Sequence, residues 1–155
     1  MSLTKFLLGV VILFVILMFF VVIYSPPPIA PATSAKTKVI HAQTIKYISA
    51  EIQGCALGDT TMMKGNLICS ELNAANVVDA AANTLTNHLI TYSIEYKNPY
   101  STKNNAVRIS TSNTLKRDVG YINLSTSGTN VVVKSCHVTP CDIERNRRSD
   151  TIEIK

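Results

Sequence analysis

The chain has no tryptophan, and its four phenylalanines, Phe6, Phe14, Phe19 and Phe20, all fall in the first twenty of 155 residues. From Ser25 onward tyrosine is the only aromatic, so any domain built there has a thin core. Charge is scarce too, at 16% of residues, and is absent between Phe6 and Tyr24, a run of 19 residues with a single glycine. An ordinary soluble cytosolic domain is excluded by that run, and a multi-pass membrane protein by there being only one. Catalytic signatures are missing as well: no H-E-x-x-H, no G-x-S-x-G, no glycine-rich phosphate loop. The three histidines sit in no recognisable motif; His41 reads as a helix-face residue, His88 as a helix-end residue, and His137 adjoins Cys136. The chain is not read as an enzyme, and neither a cofactor nor a small-molecule substrate is expected.

What is present begins with the apolar run. As a helix, Phe6 to Tyr24 would span about 28 Å, close to the hydrocarbon thickness of a bilayer. Tyr24 sits where an interfacial aromatic belongs, and Pro26-Pro27-Pro28 marks an exit or a kink. The competing reading is a cleaved signal peptide, with small residues at Ala30-Pro31-Ala32, but signal-peptide cores usually run about 7–15 residues. An uncleaved anchor is the expectation. Lys5 before the run and Lys36 and Lys38 after it leave the charge rule nearly balanced.

The four cysteines, Cys55, Cys69, Cys136 and Cys141, all follow the anchor and form two local pairs. An even count in an exported domain reads as two disulfides, most simply Cys55–Cys69 and Cys136–Cys141 among three formal connectivities. Disulfides need an oxidising compartment, which puts the N-terminus in the cytoplasm and the domain outside it. Zinc is the rival use of these thiols, but neighbouring Cys136 and His137 chelate one ion awkwardly and no C-x-x-C occurs.

The expected layout is α+β, with residues 1–35 as a membrane or stalk helix and Pro-rich connector and 36–155 as an exported globular domain. Pro26 to Ala35 reads as extended. Val39 to Gln53 reads as an amphipathic helix on Ile45, Ile48 and Ile52, joined by Ala42 and His41, with Thr37 as cap and Gly54 as stop. Asn76 to Thr86 is a second helix, capped by Asn73 and burying Val77, Val78, Ala81 and Leu85. Leu89 to Tyr96 is ambiguous, with β-branched and aromatic content favouring a strand. A small antiparallel sheet follows from Ala106–Ser110, Gly120–Ser125, Asn130–Ser135 and Thr151–Lys155. Ser127-Gly128-Thr129 serves as a hairpin connection, and Tyr121, Val131, Val133 and Ile152 form the packed face.

This order resembles a bacterial type IV pilin. The resemblance rests on Ala50-Glu51-Ile52-Gln53-Gly54-Cys55 opening a loop to Ile68-Cys69-Ser70, and on the turn Lys97-Asn98-Pro99-Tyr100. It rests further on Asp118-Val119-Gly120-Tyr121-Ile122 as a sheet strand, and on Ser135-Cys136 through Pro140-Cys141 as the C-terminal disulfide loop. Aligning the first Phe puts Phe6 at the family's mature start and Pro27 where a helix-kinking proline often lies. Lys5 then stands at the cleavage position and Val10 where the family carries a glutamate. The resemblance implies a structural subunit that self-associates into a helical filament, after residence in the inner membrane. Phe6, Phe14, Phe19, Phe20 and Tyr24 would lie in the filament core, and the heads would be exposed for adhesion, motility or DNA uptake. Alternatives are an uncleaved single-pass protein with a pilin-like periplasmic head, and a ligand-binding or sensor domain.

Net charge is +5, with basic groups concentrated at Lys116-Arg117 and at Arg145, Arg147 and Arg148. A solvated loop face is the plain reading, and weak DNA or anionic-surface binding the sharper one. Asn123-Leu124-Ser125 is a glycosylation sequon that also reads as an ordinary strand end.

Overall fold

A computed structural model of the chain describes residues 29–87 and 96–154. The apolar run with Phe6, Phe14, Phe19, Phe20 and Tyr24, together with His88 and most of Leu89–Tyr96, lies outside the described residues. Within them the fold is α+β.

Helix α1, Ile29–Ala56, begins directly after the proline run. Pro31 falls in its first turn, where a missing N–H has no intrahelical partner to lose, and no breaker follows. The connector is therefore helical from Ile29, not extended, and the helix passes residues 35 and 36 without a break. Thr37 is not a cap; it is buried inside the helix, and its hydroxyl donates to the Thr33 carbonyl at 2.9 Å. Gly54 is not the stop either. The helix closes at Gly58, whose φ of +106° lets Gly58 N–H reach the Cys55 carbonyl and Asp59 N–H the Gly54 carbonyl. That two-bond closure with a left-handed glycine is the Schellman arrangement. At 28 residues α1 is about 42 Å long. It carries Lys36, Lys38, Lys46 and Glu51, and no helix among the described residues is long and apolar enough to cross a membrane.

The Cys55–Cys69 disulfide encloses a small antiparallel hairpin, β1 (Thr61–Met62) and β2 (Leu67–Ile68). Its turn places Met63, Lys64 and Gly65 in the left-handed region, at φ of 52°, 59° and 84°. Left-handed backbone costs an ordinary side chain about 1–2 kcal/mol, so Met63 and Lys64 need support. The Glu51 carboxylate on α1 accepts the Met63 N–H. The Met63 carbonyl in turn accepts from Asn66 Nδ2 at 2.9 Å and from the Thr84 hydroxyl at 3.1 Å. Thr84 belongs to helix α2, Ala74–Asn87, so the turn is clamped from both helices. Asn73 caps α2 as expected, its Oδ1 accepting the Asn76 N–H at 3.0 Å. Val77, Val78, Ala81 and Leu85 are all buried.

Strands β3 (Lys97–Asn98) and β4 (Ser101–Asn105) pair antiparallel. The main sheet has the order β5-β6-β7-β8, from Val107–Ile109, Ile122–Ser127, Asn130–Cys136 and Arg147–Glu153. β6–β7 and β7–β8 are antiparallel, but β5–β6 is parallel, which corrects the wholly antiparallel expectation. The cause is the connection. Residues 110–121 recross the sheet, and a crossover of a dozen residues is what a parallel pair requires. Gly128, at φ +59°, and Thr129 close the β6–β7 hairpin.

Helix α1 packs on β6, β7 and β8, and α2 on β5, β6 and β7. Ile40, Ile48, Val77, Leu85, Ile122, Leu124, Val131 and Val133 are fully enclosed between them. Tyr121 leaves this expected core face: it is half-exposed, with the Arg108 guanidinium 3.8 Å above its ring. With no Phe or Trp among its buried residues, the core is built mainly from Ile, Val, Leu, Met and Ala with Tyr96 at its margin, and the Cys55–Cys69 staple carries a correspondingly large share of the stability. Replacing both cysteines by alanine is expected to lower the unfolding free energy by about 3 kcal/mol, read from urea titration under oxidising conditions.

Candidate contact surface around the C-terminal disulfide

The loop after β7 is short and densely tied. Cys136 and Cys141 are bonded, with Cα atoms 5.6 Å apart, so the zinc alternative loses both thiols it needs. Thr139–Pro140 is cis. The Pro140 carbonyl accepts from Asn146 Nδ2 at 2.8 Å, and His137 N–H donates to the Asn146 carbonyl at 2.9 Å. These bonds draw the 3-10 turn Glu144–Asn146 onto the disulfide loop.

A second segment reaches the loop from the motif Asn98-Pro99-Tyr100. Buried Asn98 donates through Nδ2 to the Val119 carbonyl at 3.0 Å and accepts the Tyr100 N–H at 2.8 Å. The Tyr100 hydroxyl donates to the His137 carbonyl at 2.6 Å. Gly120 completes the latch. Its φ is +78°, and a Cβ there would collide with the Asn98 amide and come within 2.8 Å of the Tyr100 ring.

The crossover 110–121 is held by a buried carboxylate. Asp118 accepts from the Ser112 hydroxyl at 2.7 Å, from Leu115 N–H at 2.9 Å and from the Arg108 guanidinium at 2.6 Å. Burial pushes the Asp118 carboxyl up, but those donors and the Arg108 charge outweigh it, and its pKa lies below the usual carboxylate value. Arg108 Nε also donates to Asn123 Oδ1 at 2.6 Å. Asn123 is fully buried under this crossover, so the sequon is the strand residue of the plain reading.

Between crossover and disulfide loop lies a shallow concavity of about 510 Å³, lined by Thr114, Leu115, Lys116, Thr139, Pro140 and Asp142 among others. Leu115 and Ile143 are exposed large apolar side chains at this end. The predicted basic residues divide here. Lys116, Arg117 and Arg145 are exposed, whereas Arg147 is half-buried and Arg148 Nε is tied to Asp150 at 2.8 Å. Asp142, Glu144 and Asp150 are interleaved with the three arginines, so residues 136–150 carry three charges of each sign. The surface is a mixed one, with apolar, hydroxyl and charged side chains side by side.

Behind the loop lies a cluster that motif reading misses. His41 on α1 is fully buried, and its Nε2 is 2.7 Å from Asp150 Oδ2 on β8. Burial lowers the His41 pKa, with Asp150 opposing. His137 is also buried and lowered, by desolvation first and the charge of Lys38 next. For Asp150, burial raises the carboxyl but the bonds from Arg148 and His41 outweigh it, and the net shift is downward. The heptad relation of His41 to Ile48 was a readable sign that this histidine faces inward; its partner 109 residues away was not.

Gly120→Ala is expected to cost about 2–4 kcal/mol, from left-handed strain plus overpacking against Asn98 and Tyr100. Tyr100→Phe, which removes one hydrogen bond and no volume, should cost about 1 kcal/mol in the same denaturation experiment.

Comparison with family models, with curated proteins and with solved structures yields no match to this chain.

Proposed function

We propose that the chain is a pilin-like structural subunit: an apolar N-terminal segment for packing in a membrane and then in a filament, and an exported disulfide-stapled head. One observation carries the reading. Only Ser25–Pro28 separate the uncharged run Phe6–Tyr24 from helix α1, whose C-terminal part forms the spine of the α+β head. Residues from Ala32 to Lys36 in α1 are exposed or half-exposed, so the helix extends past the surface that its own sheet covers. Identical copies can join such segments in a heterologous, open-ended array. The order of helix, Cys-bounded loop, Asn-Pro-Tyr turn and C-terminal Cys loop supports the likeness.

Lys5 and Val10 favour a second reading, an uncleaved single-pass protein with the same head, acting as an accessory component. Without a glutamate at position 10 there is no carboxylate to meet a neighbouring N-terminal amine in the apolar core. N-terminal sequencing and intact mass of the native protein separate the two. A chain beginning at Phe6 in sheared surface filaments is the outcome expected for a subunit. Residues through Lys5 retained, in membranes and not in filaments, would overturn it in favour of the anchor.

The exposed Lys116, Arg117 and Arg145 give the head a weak, salt-sensitive adherence to DNA or other polyanions. Changing all three to alanine is expected to abolish retention on immobilised DNA at low salt; unchanged retention would remove this role.

A further inference from the structure

We propose that the His41–Asp150 contact, with His137 beside it, is an acid-released clasp that holds the middle of helix α1 against strand β8 and the C-terminal disulfide loop. The proposal does not depend on the filament reading; it concerns only how the head holds its own helix.

The clasp is built from three elements. His41 stands on α1 with no exposed surface, between buried Thr37 and Thr44. Those hydroxyls donate to their own helix, to the carbonyls of Thr33 and Ile40. Asp150 on β8 supplies the carboxylate, and Arg148 Nε binds the same Oδ2 that His41 does. Since a carboxylate only accepts, His41 must donate through Nε2–H, which leaves Nδ1 as a bare lone pair in the neutral ring. Nδ1 is buried and has no hydrogen-bond partner among the described residues. The lone pair of a neutral imidazole tolerates this, but a second proton would create a buried N–H with no acceptor. His137 repeats the arrangement, buried and with an unpartnered Nδ1.

The surrounding charge points the same way. Lys38 from α1 and then His41 oppose protonation of His137, and Arg148 from β8 opposes that of His41. Only Asp150 and the Arg145 carbonyl favour it. Doubly protonated, the cluster would hold His41, His137, Lys38 and Arg148 as cations with one carboxylate among them. Separating α1 from β8 hydrates these groups and relieves the repulsion.

The sign follows from linkage. Both histidines have folded-state pKa values below their ordinary value of about 6.5, so the open state binds more protons. The stabilisation is full above that value and is lost as pH falls from it toward the folded-state values. Each histidine then raises the opening equilibrium by up to roughly tenfold per pH unit. Asp150, with a lowered pKa of its own, acts in the same direction only at more acid pH, below the ordinary carboxylate range.

The test is hydrogen exchange by mass spectrometry on the full chain in detergent micelles, from pH 7.5 to 5, corrected for intrinsic exchange rates. Expected is a loss of protection in α1 around residues 37–48 and in the disulfide loop, up to roughly 30-fold between pH 6.5 and 5.5. Strands β6 and β7 should keep theirs, and the double variant His41→Gln/His137→Gln should show no such step. Constant protection of α1 in the native chain, or an undiminished step in the double variant, would overturn the proposal. Should that variant not fold at pH 7.5, imidazole NMR titration of the native chain decides: both histidines below about 6.5 support the clasp, and His41 at or above it refutes it.

Discussion

The surface by which helix α1 meets its sheet is polar about as often as it is apolar, and the head is organised around that constraint. Thr37, His41 and Thr44 are enclosed there together with Ile40 and Ile48. Each buried polar group must find a partner or impose a cost of about 1–3 kcal/mol. The threonines solve this inside their own helix, by bonding the carbonyl one turn back. The histidine cannot, and reaches across to Asp150. That bond fixes the rotation of α1, because turning the helix by one residue would put Ile40 or Ala42 in its place and leave Asp150 without its buried partner.

A small core without Phe or Trp among its enclosed residues gives little freedom to correct errors elsewhere, and the remaining joints are accordingly covalent or bonded. Cys55–Cys69 closes the far end of α1 over a turn whose left-handed Met63 and Lys64 are held by Glu51 and Thr84. The opposite end is closed by Cys136–Cys141 and by the latch of Asn98, Tyr100 and Gly120. Asp118 anchors the crossover that makes β5 and β6 parallel. Some of these joints are local, but Thr84 to Met63, Asn98 to Val119 and Tyr100 to His137 pair residues more than twenty apart and so tie separate elements together.

Much of the secondary structure was legible because it is written locally. The Asn73 cap and the Val77, Val78, Ala81, Leu85 stripe set α2, and Gly128 sets the β6–β7 hairpin. The two cysteine pairs were legible from proximity in sequence. The start of α1 was not, because a proline is a breaker inside a helix and a good neighbour in its first turn, and sequence does not say which turn Pro31 occupies. Gly54 reads as the stop because it follows the apolar pattern directly, but the left-handed backbone that ends the helix is at Gly58. Tyr121 reads as part of the packed face, but it precedes β6 and is half-exposed under the Arg108 guanidinium of β5, a contact between residues 13 apart. Of the contact surface, the disulfide loop and its arginines could be read, whereas the acid groups that bind or offset them, and His41 behind, emerge only from the fold.

The positions of these joints along α1 give the helix unequal ends. Its last two turns are tied by a disulfide and by the Glu51 bond to the hairpin turn. Its middle is tied by the His41 contact. In sequence, the uncharged run that ends at Tyr24 precedes the helix at the end away from the disulfide. Along the chain from that run, His41 comes before the stapled end. A purely apolar contact at that point would grip with the same strength at every pH. An imidazole grips in one protonation state and loosens in the other, and its place halfway along the helix lets the N-terminal half move while the disulfide keeps the C-terminal half in the head.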